Sequence, residues 1–259
     1  MRFIKQFMLS VAAVFASFSK VGLRAYLVII GLCLVLFVAG LALGGTMFSF
    51  VFDLLDGLVS AIALPDFCSG VLPGVASWVG GIAASLIAFL VVGAIGGSVI
   101  MLVLSPLLDR MADNGWVAAG HERMAYSAAD TVRSILRGVA IAFRCLLLQL
   151  GCLLLLLILS FLPVLGVAAP VLGLLVSSFF YGQTLIDYAV ERAERFGAWG
   201  GKKPGSFPFS NIGLTVGLGF LFAVLTLIPF IGAYFALFVA PASAFAGGKV
   251  LGDAVKQSK

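Results

Sequence analysis

The chain has 259 residues, of which 62% are hydrophobic and only 10% are charged. A water-soluble domain of this length has too little interior for so much apolar surface, so the composition excludes that class and predicts an integral membrane protein. The net charge of +5 does not indicate nucleic-acid binding, because the basic residues are confined to segments that separate apolar stretches.

Residues 1–20 predict an amphipathic helix that lies in the membrane interface. Apolar side chains recur on one face at helical spacing, and polar or basic side chains lie largely opposite. The apolar face consists of Ile4, Phe7, Met8, Val11, Phe15 and Phe18. A secretory signal peptide is the alternative, since a basic start precedes a short apolar core with small residues near Ala16. We favour the interfacial helix.

Two long apolar stretches follow, at residues 25–44 and 79–104. Each predicts a membrane-spanning helix, because about 20 apolar residues cross roughly 30 Å of hydrocarbon. Residues 45–78, between them, contain three acids and no basic residue. Residues 105–144 are predicted to form a cytoplasmic helical segment, in which Ser105 and Pro106 are suited to starting a new helix.

Two apolar hairpins are predicted at residues 145–186 and 212–248, joined by a cytoplasmic loop at 187–211. Each contains a similar interruption, LSFLPVLG at 159–166 and LTLIPFIG at 225–232. Proline usually ends a helix, and a glycine three residues later permits a tight reversal.

The two reversals are called here the first and second proline corners. We predict that the next helix starts near Pro170 after the first corner and near Ala233 after the second, with a kink at Pro241.

From each proline onward, the turns PVLGVAAP at 163–170 and PFIGAYF at 229–235 contain no polar side chain except the hydroxyl of Tyr234. A turn in water normally contains polar residues, so the corners are predicted to stay at membrane depth, against protein or a wet cavity, as hemi-penetrating hairpins. The alternative is a pair of ordinary, slightly short transmembrane hairpins. If the corners are re-entrant, helix N-termini near Gly166 and Gly232 form an anion site without a buried cation.

The charges predict the topology and restrict the mechanism. All basic residues lie in segments predicted to be cytoplasmic, which places both termini in the cytoplasm. Neither hairpin contains a charge, and the nearest acid is Asp187 at a helix end. A proton-driven pump needs acids within the span, so a channel or passive permease is favoured. Gln149 and Gln183 are interpreted as interhelical hydrogen-bonding residues in preference to ligand contacts.

The sequence shows no nucleophile–base pair and no metal-ligand spacing, so no enzyme activity, cofactor, metal or nucleic-acid partner is predicted. Gly-rich stretches such as GGIAASLIAFLVVGAIGGS permit close helix packing, as in a bundle or a homo-oligomer.

Four stretches together resemble the CysZ-type sulfate-transport family, also known as the etoposide-induced-protein family. FLPVLGVAAPVLGLLVSSFFYGQTLIDYAVER has two prolines, an apolar helix and the pair Asp187–Tyr188 in the family's order. LTLIPFIGAYFALFVAPASAFAGG matches the closing segment, and LSPLLDRMAD follows the second long helix. KVGLRAYLVI matches the stretch that opens the first long helix.

The resemblance implies two long spanning helices, hemi-penetrating hairpins, oligomers and sulfate uptake across a bacterial cytoplasmic membrane. It also implies that Gly22 and Arg24 bind sulfate, although Ala25 replaces the second arginine of the family's pair. The resulting hypothesis is an all-α channel or permease for a small oxyanion, most simply sulfate. The alternatives are a non-transporting membrane scaffold and a permease for another small solute.

Overall fold

The computed structural model describes residues 2–31, 75–123, 128–160, 163–195, 207–228 and 232–257. These residues are almost entirely helical and contain no strand, so the predicted all-α class is confirmed. The helices are α1 (Arg2–Ser17, followed by the 3-10 turn Phe18–Lys20), α2 (Leu23–Gly31), α3 (Val75–Ala118), α4 (Ala128–Ser160), α5 (Pro163–Arg195), α6 (Phe207–Ser210), α7 (Ile212–Thr226) and α8 (Gly232–Gln257).

Four described helices contain segments long and apolar enough to cross a membrane, which confirms the predicted membrane protein. The segments are Ile95–Ala118 in α3, Leu136–Ser160 in α4, Val167–Glu191 in α5 and Tyr234–Lys256 in α8. α1 and α2 pass the same test only as a pair, and they meet at 93°. Helix α7 has 15 residues, so it is about 22 Å long and shorter than the hydrocarbon core.

Two prolines lie inside helices that were predicted to start at them. Helix α5 begins at Pro163, so Pro170 lies in its third turn, and α3 continues through Pro106. Membrane helices tolerate interior proline, because neighbouring helices and local adjustments satisfy the freed backbone groups. The start of α8 at Gly232 agrees with the prediction. Within the predicted span 25–44, residues 32–44 lie outside the described ranges, as do residues 45–74.

Glycine brings the helix backbones close together at three interfaces. A Cβ added at any of these glycines would overlap an atom of the facing helix. The positions are Gly182 and Gly219 between α5 and α7, Gly115 and Gly248 between α3 and α8, and Gly213 and Gly217 between α7 and α1. Small residues at helix contacts are the usual means of close packing where lipid removes the hydrophobic driving force.

Helix α1 has three distinct faces. Its protein-facing side is small and polar, with Ser10 and Ser17 buried. Of the apolar face predicted from the sequence, Ile4, Met8 and Phe15 are 59–66% exposed, whereas the other three residues are half-buried against the protein. The basic residues Arg2 and Lys5 are also exposed. The helix therefore presents its apolar face to the surroundings of the protein, which suits a helix lying in lipid.

Candidate functional site

Gly22 and Arg24 lie at the start of α2 with open space around them. The carbonyl of Gly22 accepts the first hydrogen bond of the helix from the N–H of Ala25, at 2.9 Å. No atom lies within 4 Å of where a Cβ at Gly22 would stand. The side chain of Arg24 is exposed and forms no ion pair with a residue that the structure describes. A cation, a helix N-terminus and accessible backbone therefore coincide here.

The neighbouring Tyr26 attaches this segment to the rest of the bundle. Its ring stacks on Phe238 of α8 with centroids 6.0 Å apart, and its hydroxyl donates to the carbonyl of Phe18 at 3.2 Å. Phe238 is six residues from the start of α8, which is about 9 Å along the helix. The start of α2 thus lies beside α8, within about two turns of the second proline corner.

Gly232 is needed sterically at the second proline corner. Its N–H donates to the carbonyl of Ile228 at 2.9 Å, and a Cβ there would overlap the carbonyl oxygen of Leu225. The last turn of α7 and the first turn of α8 are therefore in direct contact. The other N–H groups in the first turn of an α-helix have no partner within the helix.

Leu227, just before the second proline, lies near the closed end of the first hairpin. Leu227, just after α7, packs against a cluster formed by Leu153, Leu157 and Ala169. Leu153 is seven residues, or about 10 Å, from the end of α4, and it falls within the candidate span of that helix. Gly166 is in the first turn of α5, three residues before Ala169. Both predicted glycine positions therefore belong to the same end of the bundle.

A neutral polar cluster lies beside the second proline corner. The side chain of Tyr181, on α5, lies close to Gln149 of α4 and to Thr226 at the end of α7. A Cβ at Gly97 of α3 would overlap the Tyr181 hydroxyl, so α3 also borders the cluster. Gln149 is 1% exposed, and its amide nitrogen has no hydrogen-bond partner among the described residues.

Gln149 and Gln183 thus differ in their surroundings. Gln149 lies close to Tyr181 of α5, but no described residue bonds its amide nitrogen, so its interhelical hydrogen bond stays a prediction. The side-chain oxygen of Gln183 is buried, and no described residue bonds to it.

Asp187 and Tyr188 have structural partners at the other end of α5. Arg137 of α4 pairs with Asp187 at 3.5 Å and with Glu194 at 2.6 Å. The hydroxyl of Tyr188 donates to the hydroxyl of Ser105 on α3 at 3.1 Å. These bonds join α3, α4 and α5. Arg137 was not predicted from the sequence. The available signal was a basic residue close to the start of an apolar stretch, and the structure adds that it pairs with Asp187.

One comparison with known proteins identifies a family. Residues 10–241 match the family described as Sulfate transporter CysZ/Etoposide-induced protein 2.4. No curated protein and no solved structure matches the chain. Because the match covers most of the sequence, the chain belongs to this family.

Proposed function

We propose that this member of the family is a channel or passive permease that carries a small oxyanion, in the first place sulfate, across a bacterial cytoplasmic membrane. The observation that carries the proposal is the family match over residues 10–241, since the family is described as a sulfate transporter. The four candidate spans are consistent with a protein that acts within the bilayer. We further propose that both termini are cytoplasmic and that the chain forms homo-oligomers.

Arg24 and Gly22 are the proposed capture site. An oxyanion is attracted to a guanidinium and to the positive end of a helix, and exposed glycine backbone permits close approach. Arg24 is exposed and unpaired among the described residues, so an arriving anion has no carboxylate to displace there.

The second proline corner is proposed to line the path inside the membrane. Leu227, at its start, packs against Leu153 and Leu157 inside the candidate span of α4. If that span crosses the bilayer, the corner and the N-terminus of α8 lie at membrane depth, and the second hairpin is hemi-penetrating. Irregular backbone at that depth is characteristic of substrate sites in transporters. Gly166 follows the end of the α4 span, and we propose that it binds the anion at that end of the path.

Residues 145–186 and 212–248 contain no charge, and we propose on this ground that the hairpins conduct passively. The candidate span of α3 does contain two buried acids, Asp109 and Asp113. In this proposal Asp187 and Tyr188 hold the helices at the end of the path, and Gln183 borders the path.

Uptake of labelled sulfate by liposomes that contain the purified protein tests the proposal. We expect uptake above that of empty liposomes, together with inhibition by excess unlabelled sulfate. Uptake equal to that of empty liposomes would remove the transport function and favour the scaffold interpretation.

Two substitutions test the capture site. Arg24→Gln should raise the half-saturating sulfate concentration by about tenfold, since a hydrogen bond to a charged group contributes roughly 1.5–3 kcal/mol. Lys20→Gln is the matched control, because Lys20 is also exposed, lies four residues earlier, and should change uptake little. Gly22→Ala adds a methyl group into open space, so it should leave the fold intact and hinder only the approach of the anion. Equal kinetics for Arg24→Gln and Lys20→Gln would show that Arg24 does not bind the anion.

A further inference from the structure

We propose that the exposed side of helix α1 binds anionic phospholipid, with Arg2 and Lys5 holding phosphate headgroups and Met8 and Leu9 contacting acyl chains. The site is independent of the proposed transport function, because it lies on the outer surface of the helix bundle. Three observations carry it: the charge of this segment, the arrangement of its exposed side chains and the attachment of α1 to the bundle.

All charged side chains in residues 1–52 are basic. They are Arg2, Lys5, Lys20 and Arg24. Arg2 and Lys5 are both exposed, and neither forms an ion pair with a residue that the structure describes. The charge on the first turn of α1 is therefore not neutralised within the described part of the protein, and it remains available to an anion outside it.

The two cations stand beside exposed apolar side chains of the same helix. Residues three or four apart are neighbours on a helix surface, so Arg2 adjoins Lys5, and Lys5 adjoins both Met8 and Leu9. Met8 and Leu9 are 62% and 60% exposed. A surface on which cations border apolar side chains matches the boundary between the headgroups and the hydrocarbon of a bilayer.

Helix α1 is held against α7, which fixes the side that it presents to its surroundings. Gln6 donates a side-chain N–H to the side-chain oxygen of Asn211, at 3.0 Å. The ring of Phe7 lies edge-on to the ring of Phe220, with centroids 5.1 Å apart. Because Gln6 and Phe7 contact the protein, the cations and the exposed apolar side chains are left to a ligand from outside.

This combination selects an anionic phospholipid over other ligands. Each Lys or Arg near an anionic membrane surface strengthens binding by roughly fivefold, whereas a zwitterionic headgroup has no net charge to attract the cations. A free phosphate would pair with the cations but would gain nothing from the exposed apolar side chains. The chain has four candidate membrane spans, so lipid is the medium that meets this surface.

Binding of defined lipids to the purified full-length protein tests the site. The protein in neutral detergent is titrated with dioleoylphosphatidylglycerol, which is anionic, or with dioleoylphosphatidylcholine, which is zwitterionic, and native mass spectrometry counts the bound lipids. We expect tighter binding of phosphatidylglycerol. A higher ammonium acetate concentration should weaken that preference, because salt screens exposed charges. Equal binding of the two lipids would overturn the proposal.

Substitution of the two cations locates the site. Arg2→Gln combined with Lys5→Gln should weaken phosphatidylglycerol binding by roughly thirtyfold and leave phosphatidylcholine binding unchanged, whereas Arg2→Lys combined with Lys5→Arg should keep the preference. Lys249→Gln combined with Lys256→Gln is the matched control, since both lysines are exposed on α8 and the acid Asp253 lies between them. Equal losses in the α1 and α8 variants would mean a general charge effect and would contradict the site.

Substitution of the apolar side chains separates a lipid from a small anion. Met8→Ser combined with Leu9→Ser should weaken phosphatidylglycerol binding several-fold. Leu155→Ser combined with Ile158→Ser is the control, because these residues are 57% and 56% exposed on an uncharged part of α4; the preference for phosphatidylglycerol should persist there.

Glycerol phosphate, which has the charge but no acyl chain, should not displace phosphatidylglycerol from the wild-type protein. Displacement by glycerol phosphate, or undiminished lipid binding by the Met8→Ser, Leu9→Ser variant, would mean that the phosphate alone is recognised. Either result would overturn the assignment to lipid.

Discussion

The contact between α5 and α7 should fail when a single methyl group is added at Gly182. A Cβ at that position would overlap the carbonyl oxygen of Thr215 and lie 2.8 Å from its carbonyl carbon, whereas ordinary contact begins at 3.4 Å. The two backbones must therefore separate, because neither atom belongs to a flexible side chain. Overpacking of this kind costs about 1–3 kcal/mol.

The helix propensity of alanine offsets part of that cost. Replacing glycine by alanine inside a helix contributes up to about 1 kcal/mol of stability, so Gly182→Ala should be destabilised by a net of up to about 2 kcal/mol and should be less stable than an alanine substitution without the overlap by about 1–3 kcal/mol. Gly247→Ala is the matched control: its nearest neighbour would be the side chain of Leu218 at 3.6 Å, so it should match or exceed the wild type. Unfolding by sodium dodecyl sulfate in mixed micelles, followed by circular dichroism, measures both. Gly182→Ala as stable as Gly247→Ala would refute the close approach.

Three further predictions concern other contacts. Arg137→Met should lower the free energy of unfolding by about 1–3 kcal/mol, because it leaves two acids of α5 without their cation; the same micelle unfolding measures it, and an unchanged midpoint would contradict the pairing. Tyr188→Phe and Ser105→Ala should each destabilise the protein, and a double-mutant cycle should give a coupling of about 1 kcal/mol; additive effects would mean that no bond joins them. Gly217→Leu should displace α1, since even a Cβ there would lie 2.8 Å from a backbone oxygen of that helix. Trypsin cleavage within residues 1–20 should then accelerate, and an unaltered rate would show that α1 is held elsewhere.

Much of the helical architecture could be predicted from the sequence, because membrane helices are defined by apolar length. The corner at residues 225–232 illustrates this: α7 ends at Thr226 and α8 begins at Gly232, as a proline followed by a glycine suggests. Pro170 and Pro106 show where the rule fails. Proline terminates a helix only when nothing else satisfies the freed carbonyl, and that depends on tertiary neighbours that sequence spacing does not reveal.

The polar cluster of Gln149, Tyr181 and Thr226 could not be predicted from the sequence, because it depends on which helices pack together. Gln149 was recognisable as a polar residue in an apolar helix, but its contact with Tyr181 depends on the register of α4 against α5. Tyr181 itself stands among apolar and small residues and gives no signal, since a tyrosine in a membrane segment is common. Arg24 differs, because its position in the fold could be predicted from the sequence alone. Its position at the start of α2 followed from the sequence, and the structure added that no described acid pairs with it.

The continuity of α3 has a mechanical consequence. Its 44 residues extend for about 66 Å along the helix axis, roughly twice the hydrocarbon thickness. Ser105 of α3 is hydrogen bonded to Tyr188 of α5, and Gly115, in the last turns of α3, packs closely against α8. A sideways displacement of the N-terminal half of α3 would therefore shift its contacts with α5 and α8. A force that moves α3 on one side of the bilayer would thereby change the positions of the helices that border the proposed path.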